Sequence, residues 1–349
     1  GTTGSAGLVF DVDGNPLALH DVSLVFEIAG ENPRVRPKEI GERLRILALF
    51  SVPPAASPLN LRRERKMLQT LVRDLTGTTG RAVDLRVLQY GTTRESLRDA
   101  LEEDEGWDII HFSGHGLPGS IALERLDESH DLVASEEVAA LLQLARGRLK
   151  LVTLSACLSG AATIDQTLSW LRIESTPHTE ERMPTPAGSE PMSVARALVR
   201  TLDCSVLAMR YAVEDEFAST MTYELYRLLL EKGQPLTRAL SRALSSTAAG
   251  SPAMPVAALS FAAPALFGRR ALDLRLVPPP AATNAIEPPW LAHFPDEPAR
   301  FVGRVMAMTR ASAAMARDAR KSGVIFYGMA GGGKTSCALE LAYHLPAVR

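Results

Sequence analysis

From about residue 43 onward, two kinds of hydrophobic pattern alternate along the chain. Short continuous apolar runs are typical of buried strands, and four of them lie at 44–53, 82–90, 108–116 and 150–160. Between them lie amphipathic runs with apolar residues at near-helical spacing, such as LNLRRERKMLQTLVRDL at 59–75. Strands joined in this way need right-handed crossovers through helices. The pattern therefore predicts an α/β fold with a mostly parallel sheet and helices on both faces.

The same alternation resumes at residue 193, with helices predicted at 193–204, 216–233 and 235–246 and strands at 205–213 and 256–268. Pro264 indicates that the last strand lies at a sheet edge. Thr93 or Thr92 is the predicted cap of one earlier helix, and Ser135 is the predicted cap of the next. Residues 172–192 contain four prolines and four glutamates, which predicts a long exposed loop.

Composition shifts divide the chain into four predicted segments. Residues 1–42 contain an Asp-Gly-Asn turn between two apolar runs, which indicates a β-hairpin region packed on the sheet. Residues 43–270 form the main α/β domain, residues 271–300 a proline-rich linker, and residues 301–349 the beginning of a further domain. Because the chain does not start with Met, we expect it to be an excised part of a longer protein.

Charge and cysteine content narrow the possible partners. A net charge of -2 gives no electrostatic reason to expect nucleic acid or an anionic membrane as the main partner. Three scattered cysteines are too few for a disulfide framework or a zinc cluster. We therefore predict no metal site and a reducing, cytoplasmic setting. The sequence also has no apolar run of about 18 residues and no signal-peptide pattern.

Two of the predicted strands end in reactive side chains: DIIHFSGHG carries His115, and KLVTLSACLSG carries Cys157. Functional groups of open α/β sheets gather at the carboxyl ends of strands, and these two strands are predicted neighbours, about 4.8 Å apart. A cysteine attacks a carbonyl as thiolate and needs a nearby base. His115 can supply that base and then protonate the leaving amine. The amides of Gly116 and Cys157 are candidate donors to the oxyanion.

Each of these residues also has a purely structural interpretation. A lone cysteine after an apolar strand is usually a small buried hydrophobe, and a lone histidine is often only hydrogen-bonded structure. Their occurrence together, at equivalent strand ends and beside small residues, favours the catalytic interpretation. His111 lies inside the apolar run and is interpreted as a core histidine.

At this point the motifs resemble a known family. HFSGHG followed by LSACLSG is similar to the caspase-like clan of cysteine peptidases and, within it, to the CHAT family. The segments 193–244 and 256–268 resemble the later part of the CHAT pattern. The resemblance implies a caspase-like three-layer sandwich with Cys157 as nucleophile, His115 as general base and Gly116 assisting at the oxyanion. It implies no cofactor for proteolysis.

The sequence departs from the family pattern in two places. Caspases proper carry Gln-Ala-Cys, whereas the residues ending at Cys157 are Ser-Ala-Cys, so aspartate specificity is not implied. CHAT sequences often carry Trp before the acidic turn, and here Arg210 and Tyr211 precede it. Substrate preference therefore has to be argued from this chain's own residues.

The acidic turn itself has two interpretations. Asp215 or Glu214, with Asp165 as a weaker candidate, can line a substrate pocket that favours a basic residue. Alternatively, Glu214 and Asp215 cap the following helix, where carboxylates suit the helix dipole. The loop at 172–192 is likewise open to two interpretations: the corresponding region often controls activity in the caspase-like clan, or it is here a solvated insertion.

A second motif, GMAGGGKT at 328–335, matches the P-loop pattern in a strand–loop–helix context. Such a loop cradles phosphates with its amides, while its Lys neutralises them and its Thr holds magnesium. The predicted nucleotide-binding residues are Gly328, Gly331, Gly332, Gly333, Lys334, Thr335 and Ser336. With FVGR upstream, the segment resembles the start of a STAND-type NTPase, so ATP and magnesium are the expected ligands of a full domain. Only 14 residues follow Thr335 and none forms an acidic strand, so hydrolysis by this chain is not expected.

The sequence is therefore interpreted as a cysteine endopeptidase regulated by an attached NTPase switch, with missing C-terminal NTPase and sensor regions. Analogy with the family suggests a bacterial immune (antiviral) or cell-death system, with protein substrates that include gasdermin-like pore-formers. Two alternatives stay open: a non-catalytic CHAT-like signalling scaffold, and a regulatory domain of a P-loop NTPase.

Overall fold

A computed structural model describes residues 16–20, 22–29, 31, 38–51, 61–103, 105–125, 129–161, 192–249, 258–281, 295–298, 300–315 and 321–344. Its strands are β1 Val25–Phe26, β2 Leu44–Ser51, β3 Val83–Gln89, β4 Ile109–Gly114, β5 Gly116–Leu117, β6 Ser120–Glu124, β7 His130–Ala134, β8 Leu151–Ser155, β9 Ser205–Met209 and β10 Pro264–Phe267. Seven of them form one sheet in the order β1-β10-β9-β8-β4-β2-β3. Neighbours in this sheet are parallel except β10 and β9, which are antiparallel.

Helices cover both faces of this sheet. They are α1 Leu61–Gly77, α2 Arg94–Leu101, α3 Ser135–Leu142, α4 Val194–Leu202, α5 Asp215–Tyr226, α6 Leu236–Ala249, α7 Ala258–Ala262, α8 Val305–Ala314 and α9 Lys334–His344. One apolar core lies between the sheet and α2, α3 and α4, and a second lies between the sheet and α1, α5 and α6. This arrangement confirms the predicted three-layer α/β fold.

The local sequence explains why these elements form where they do. Strands β2, β4 and β8 are buried along their whole length, because a central parallel strand is covered on both faces and reads as a continuous apolar run. Helix α2 begins at the predicted cap: the Thr93 hydroxyl accepts the Ser96 amide, and Ser96 returns a bond to the Thr93 amide. This reciprocal capping satisfies two amide groups that a helix start leaves open.

The last predicted strand is wrong in two respects. Its first half, Ala258–Ala262, is the short helix α7, and only Pro264–Phe267 is strand. It is also not the edge of the sheet, because β1 pairs with its outer side at Leu266 and Phe267. Pro264 is tolerated since the outward amides of β10 that bond to the β1 segment belong to Leu266 and Gly268. Residue 264 has no pairing partner in β1, so the missing amide of a proline there removes no hydrogen bond to β1.

Two further expectations are corrected or only partly covered. The residue at the cap of α3 is Ala134, and Ser135 is the first helical residue, its hydroxyl bonded to Glu136 instead. Of the predicted N-terminal hairpin, the turn and the first apolar run lie outside the described residues. The second run contains a short 3-10 helix at Leu17–His20 and then β1, which joins the main sheet in parallel.

A small antiparallel sheet, β5-β6-β7, follows β4 directly and was not predicted. Its first hairpin turns at Pro118 and Gly119, where the glycine has a φ of 74° and Leu117 pairs with Ser120. The Ser51 hydroxyl at the end of β2 donates to the Ala122 carbonyl at 3.0 Å, which fixes the small sheet to the main one. The chain after His115 is therefore held over the carboxyl ends of the central strands.

A buried carboxylate anchors the opposite ends of these strands. Asp108 is fully buried and accepts the Arg45 amide at 2.8 Å, the Arg148 side chain at 2.9 Å and the Lys150 ammonium at 2.7 Å. Burial lowers the pKa of Lys150, and the hydrogen bond to Asp108 counteracts this effect. The cluster ties the starts of β2, β4 and β8 together, so it helps to fix the register of the two strands that end near His115 and Cys157.

The small sheet is joined to α2 by an ion pair that predicts a pH effect on stability. Arg94 donates to both carboxylate oxygens of Asp131, at 2.5 and 3.0 Å, and these bonds lower the pKa of Asp131. A carboxyl with a lowered folded-state pKa stabilises the fold above its ordinary value of about 3.9, and this contribution is lost as the pH falls through the folded-state pKa. We expect Asp131→Asn to lower the free energy of unfolding by about 1 kcal/mol at pH 7. The difference from wild type should shrink below pH 4 in urea unfolding series; a constant difference across that range would contradict this account.

Candidate active site

His115 and Cys157 lie at the ends of neighbouring strands. Strand β4 pairs with β8 in parallel, and Ser113 is the register partner of Ser155. His115 and Cys157 each follow two residues after that pair, so they occupy equivalent positions at the carboxyl edge of the sheet. The predicted adjacency of the two strands is confirmed.

Gly116 lies directly against the backbone of the cysteine turn. A methyl group added at Gly116 would lie 2.5 Å from the Cys157 carbonyl oxygen and 3.1 Å from Ala156 Cβ. The Ala122 amide donates to the His115 carbonyl at 3.0 Å, and Gly116 pairs with Ile121 one step further along the hairpin. Because hydrogen-bonded and non-bonded pairs alternate in an antiparallel ladder, the Gly116 amide points away from β6.

The turn that carries Cys157 is fixed to the end of β9. Leu158 adopts a left-handed conformation with a φ of 58°, which is uncommon for residues other than glycine. The buried Ser159 hydroxyl accepts the Met209 amide at 3.1 Å, and the Gly160 amide donates to the Met209 carbonyl at 2.9 Å. These bonds hold the cysteine in place on the side of the sheet where β9 ends.

The three cysteines differ in their surroundings. Cys157 is half-buried, and its sulfur lies 4.0 Å from the Val213 carbonyl oxygen. Cys204 and Cys337 are buried. Burial raises the pKa of Cys204 to about 12 and also raises the pKa of Cys337. Because the thiolate is the reactive form, Cys157 is the thiol best placed to react.

The acidic turn lies close to this thiol. Val213, which the Cys157 sulfur approaches, immediately precedes Glu214 and Asp215. Glu214 occupies the capping position of α5 but makes no side-chain capping bond, and Asp215 is the first residue of the helix. The capping interpretation is therefore correct for position and not for hydrogen bonding. Asp165 and the loop at 172–191 lie outside the described residues.

The two residues Arg210 and Tyr211, which follow β9 and precede the acidic turn, are both buried. The Arg210 guanidinium donates to the Tyr211 hydroxyl at 3.2 Å and lies over the Phe26 ring, 5.4 Å from its centroid. Burial lowers the pKa of Arg210 and raises that of Tyr211. Tyr211 clusters with Ala262 and Ala263, and the contact of Arg210 with Phe26 links the end of β9 to β1.

His111 belongs to the core, as predicted, and has polar partners there that the sequence did not reveal. It is 0% exposed; its Nε2 lies 3.2 Å from Glu64 and its Nδ1 lies 3.3 Å from the Tyr226 hydroxyl. Glu64 also accepts the Ser113 hydroxyl at 2.5 Å, and Tyr226 donates to Thr153 at 3.0 Å. A buried polar network therefore lies beneath the strand ends, between the sheet, α1 and α5.

Three glycines of the segment 328–335 have positive φ angles. Gly328, Gly331 and Gly333 have φ values of 144°, 75° and 76°, which favour glycine. The Lys334 ammonium folds over the loop and donates to the carbonyls of Gly328 and Met329 at 3.1 and 2.7 Å. Helix α9 begins at Lys334 itself, and the amides at the start of a helix can bind an anion.

The strand predicted before this loop is wrong for the described residues: 321–328 contain no strand and pair with none. Val324 and Phe326 pack toward an apolar cluster of α8 and α9. The alternate side chains Ile325 and Tyr327 are 86% and 93% exposed. The outer face of this segment is therefore apolar and open to solvent.

The described residues contain no group of three or more His, Cys, Asp or Glu side chains placed to hold a metal ion. Among the same residues, no helix is long and apolar enough to cross a membrane.

These features define an α/β domain of three layers, with a histidine and a half-buried thiol at adjacent strand ends. The CHAT domain family matches residues 55–269. This match covers more than half of the chain, and the chain therefore belongs to the CHAT domain family. A comparison with curated proteins finds no match.

Several solved structures are similar to this chain at low identity. The Arg-specific cysteine proteinase gingipain R has a TM-score of 0.43 and 15% identity, covering 66% of this chain and 47% of its own. The separase–securin complex of Saccharomyces cerevisiae has a TM-score of 0.39 and 14% identity, covering 72% and 12%. Caspase-1 from Spodoptera frugiperda has a TM-score of 0.39 and 12% identity, covering 74% and 98%. The chain thus spans about half the length of gingipain R.

Proposed function

We propose that this protein is a cysteine endopeptidase of the caspase-like type, with Cys157 as nucleophile and His115 as general base. The observation that carries the proposal is the β4–β8 register, which puts the two residues at equivalent positions of adjacent parallel strands. The half-burial of Cys157 supports it as well, because the other two thiols are buried.

The proposed reaction follows from the chemistry of a thiol beside an imidazole. His115 takes the proton of the Cys157 thiol, and the thiolate attacks the carbonyl carbon of the scissile peptide bond. The negative charge passes to the carbonyl oxygen, where the amides of Gly116 and Cys157 are the proposed donors. The imidazolium then protonates the leaving amine as the C–N bond breaks, leaving an acyl-enzyme thioester. Water, deprotonated by His115, hydrolyses the thioester and restores the thiol.

The acidic turn supports a preference for basic residues before the scissile bond. The Val213 carbonyl lies beside the Cys157 sulfur. Glu214 and Asp215 are the next two residues after Val213 in the sequence, so their carboxylates belong to the turn that contacts the thiol. A Lys or Arg side chain of a substrate would meet opposite charge there. Asp165 is kept as a third candidate, since it lies eight residues after the cysteine in the sequence.

We further propose that the P-loop segment binds a nucleotide and regulates the peptidase. The positive φ angles of its glycines and the position of Lys334 support phosphate binding. ATP with magnesium is the proposed ligand, with Thr335 as the candidate magnesium ligand of a complete domain. A cytoplasmic immune or cell-death role, with a gasdermin-like pore-former as substrate, extends this proposal by family analogy alone.

Alkylation with neutral iodoacetamide tests the proposed nucleophile. We expect Cys157 to react at least about tenfold faster at pH 7 than Cys204 or Cys337, because burial raises the pKa of both other thiols. Mass spectrometry of tryptic peptides gives the three rates separately. His115→Ala should slow the labelling of Cys157 only, whereas equal rates for all three cysteines would favour the non-catalytic scaffold.

A further inference from the structure

The first turn of α1 contacts the strand that carries the proposed general base. Glu64 is buried, accepts the Ser113 hydroxyl at 2.5 Å, and has its other oxygen 3.2 Å from His111 Nε2. Ser113 and His111 are both on β4, and Ser113 lies two residues before His115. This helix turn therefore helps to fix the position of the last residues of β4.

The adjacent residues of the same turn contact the P-loop helix. Arg65 is 0% exposed and lies 3.0 Å from Glu340 of α9, which is also 0% exposed. Arg62 lies 2.9 Å from the same carboxylate. The Tyr90 hydroxyl, at the end of β3, donates to Glu340 at 3.1 Å. Burial and the nearby Glu340 charge raise the pKa of Tyr90. We call Arg62, Arg65, Tyr90 and Glu340 the α1–α9 clamp.

Glu297 adds a second carboxylate to this cluster, contacting Arg62, Arg65 and Lys66. Beside the clamp, a cavity of about 810 Å³ separates α1 from the described residues around Phe301 and Val305. Cys337 and Leu341 of α9 form an apolar cluster with Met308 and Ala311 of α8, and the partly buried side chains packed against it are Tyr90, Phe301, Met315, Val324 and Phe326. Among the residues that the structure describes, the polar contacts between α1 and α9 include those of Arg62 and Arg65 with Glu340, at 2.9 and 3.0 Å. A longer one, at 3.2 Å, runs from the Gln69 side-chain amide to the Tyr343 carbonyl.

We propose that the first turn of α1 couples the P-loop helix to the active site, with Glu64 as a positioning residue for His115. This inference rests on the proposed function, since it assumes that His115 and Cys157 act together. The coupling has a physical cause: a buried guanidinium is stable only while its carboxylate partners are in place. If α9 moves away, Arg65 loses Glu340 and keeps Glu297 as its carboxylate partner, so its guanidinium moves toward Glu297 and the turn that carries Glu64 moves with it. Ser113 then loses its acceptor, and the end of β4 loses a fixed contact.

Two substitutions test the coupling without touching the dyad. Glu340→Gln removes the charge that Arg65 and Arg62 share, and Tyr90→Phe removes only one hydrogen bond to Glu340. Arg63→Gln is the matched control, because Arg63 is on the same turn but pairs with the exposed Glu216 at 2.9 Å. The measurements are the iodoacetamide rate of Cys157 between pH 5 and 9, and hydrogen exchange of residues 321–344.

We expect Glu340→Gln to open residues 321–344 to exchange and to slow Cys157 labelling at pH 7 by about tenfold. The pH midpoint of labelling should rise relative to wild type, because the imidazole no longer supports the thiolate. Tyr90→Phe should give about a threefold effect in the same direction, and it keeps the test valid if Glu340→Gln fails to fold. Arg63→Gln should match wild type.

The outcomes separate this inference from the proposed function. If iodoacetamide labels Cys157 of the wild type no faster than Cys204 and Cys337, the proposed function fails before any variant is compared. If wild-type Cys157 is fast and both clamp variants keep its rate and midpoint, the coupling is overturned, whether or not α9 opens. A loss of rate in Arg63→Gln equal to that in Glu340→Gln would overturn it too, because the effect would then not depend on α9.

Discussion

Replacing Cys157 by alanine is expected to abolish peptide cleavage while leaving the protein folded. The substitution removes the atom that attacks the scissile carbonyl in the proposed mechanism, and the loss of such a nucleophile typically costs about 10⁴-fold or more in rate. The fold should survive, because Cys157 is half-buried and its sulfur makes one weak contact, 4.0 Å from Val213. The measurement is incubation of wild type and variant with a diverse peptide library, followed by mass spectrometry of the products.

Cys204→Ala is the matched control for this experiment. It also removes a thiol, but from a buried position on the far end of β9, so cleavage should stay within about twofold of wild type. Products formed equally by wild type and Cys157→Ala would refute Cys157 as nucleophile. Products formed by wild type alone would also give the residue preferred before the scissile bond. A basic preference there would support the proposed role of Glu214 and Asp215.

The proposed dyad was accessible from sequence because strand ends are marked by local signals. The apolar runs of β4 and β8 stop at small residues, and a single intervening helix predicts that the strands are neighbours. The observed pairing of Ser113 with Ser155 confirms that adjacency. Hydrophobic periodicity and turn chemistry are local properties, so they survive in a single sequence without any knowledge of tertiary contacts.

The residues that support the site were not predictable in the same way. Glu64 lies in the charged run LRRERK, a composition that is typical of a solvated helix face. Yet Glu64 and Arg65 are both buried. Their partners His111, Ser113 and Glu340 are 47 to 275 positions away, and helical spacing alone gives no information about partners at such separations. A polar residue on the buried side of an amphipathic stripe is the one local signal that could have marked them.

The same limit explains the errors in the last predicted strand, 256–268. The run 256–268 is apolar throughout, and periodicity alone cannot distinguish a short buried strand from a helix in such a run. Its division into α7 and β10 depends on pairing with β9 and β1. The small sheet β5-β6-β7 was missed because its hairpin is marked by Pro-Gly, which signals a turn without specifying which strands it joins.

Replacing Gly116 by alanine is expected to reduce peptide cleavage by about 10²- to 10³-fold, comparable to the loss of an oxyanion donor. The added methyl would lie 2.5 Å from the Cys157 carbonyl oxygen, and since this is a backbone atom it cannot rotate away. The hairpin and the cysteine turn must move apart, which displaces the two amides proposed to bind the oxyanion.

Two comparisons make the Gly116→Ala result specific to the oxyanion. Alkylation of Cys157 by iodoacetamide forms no oxyanion, so its rate should fall far less than the rate of peptide cleavage. Gly147→Ala is the control for the substitution itself, because no heavy atom lies within 4 Å of the added methyl; its activity should equal that of wild type. If Gly116→Ala cleaves peptides as fast as Gly147→Ala, close approach at residue 116 is not needed for catalysis. If alkylation and cleavage fall equally, the substitution acts by moving the thiol, and the amide of Gly116 has no separate role.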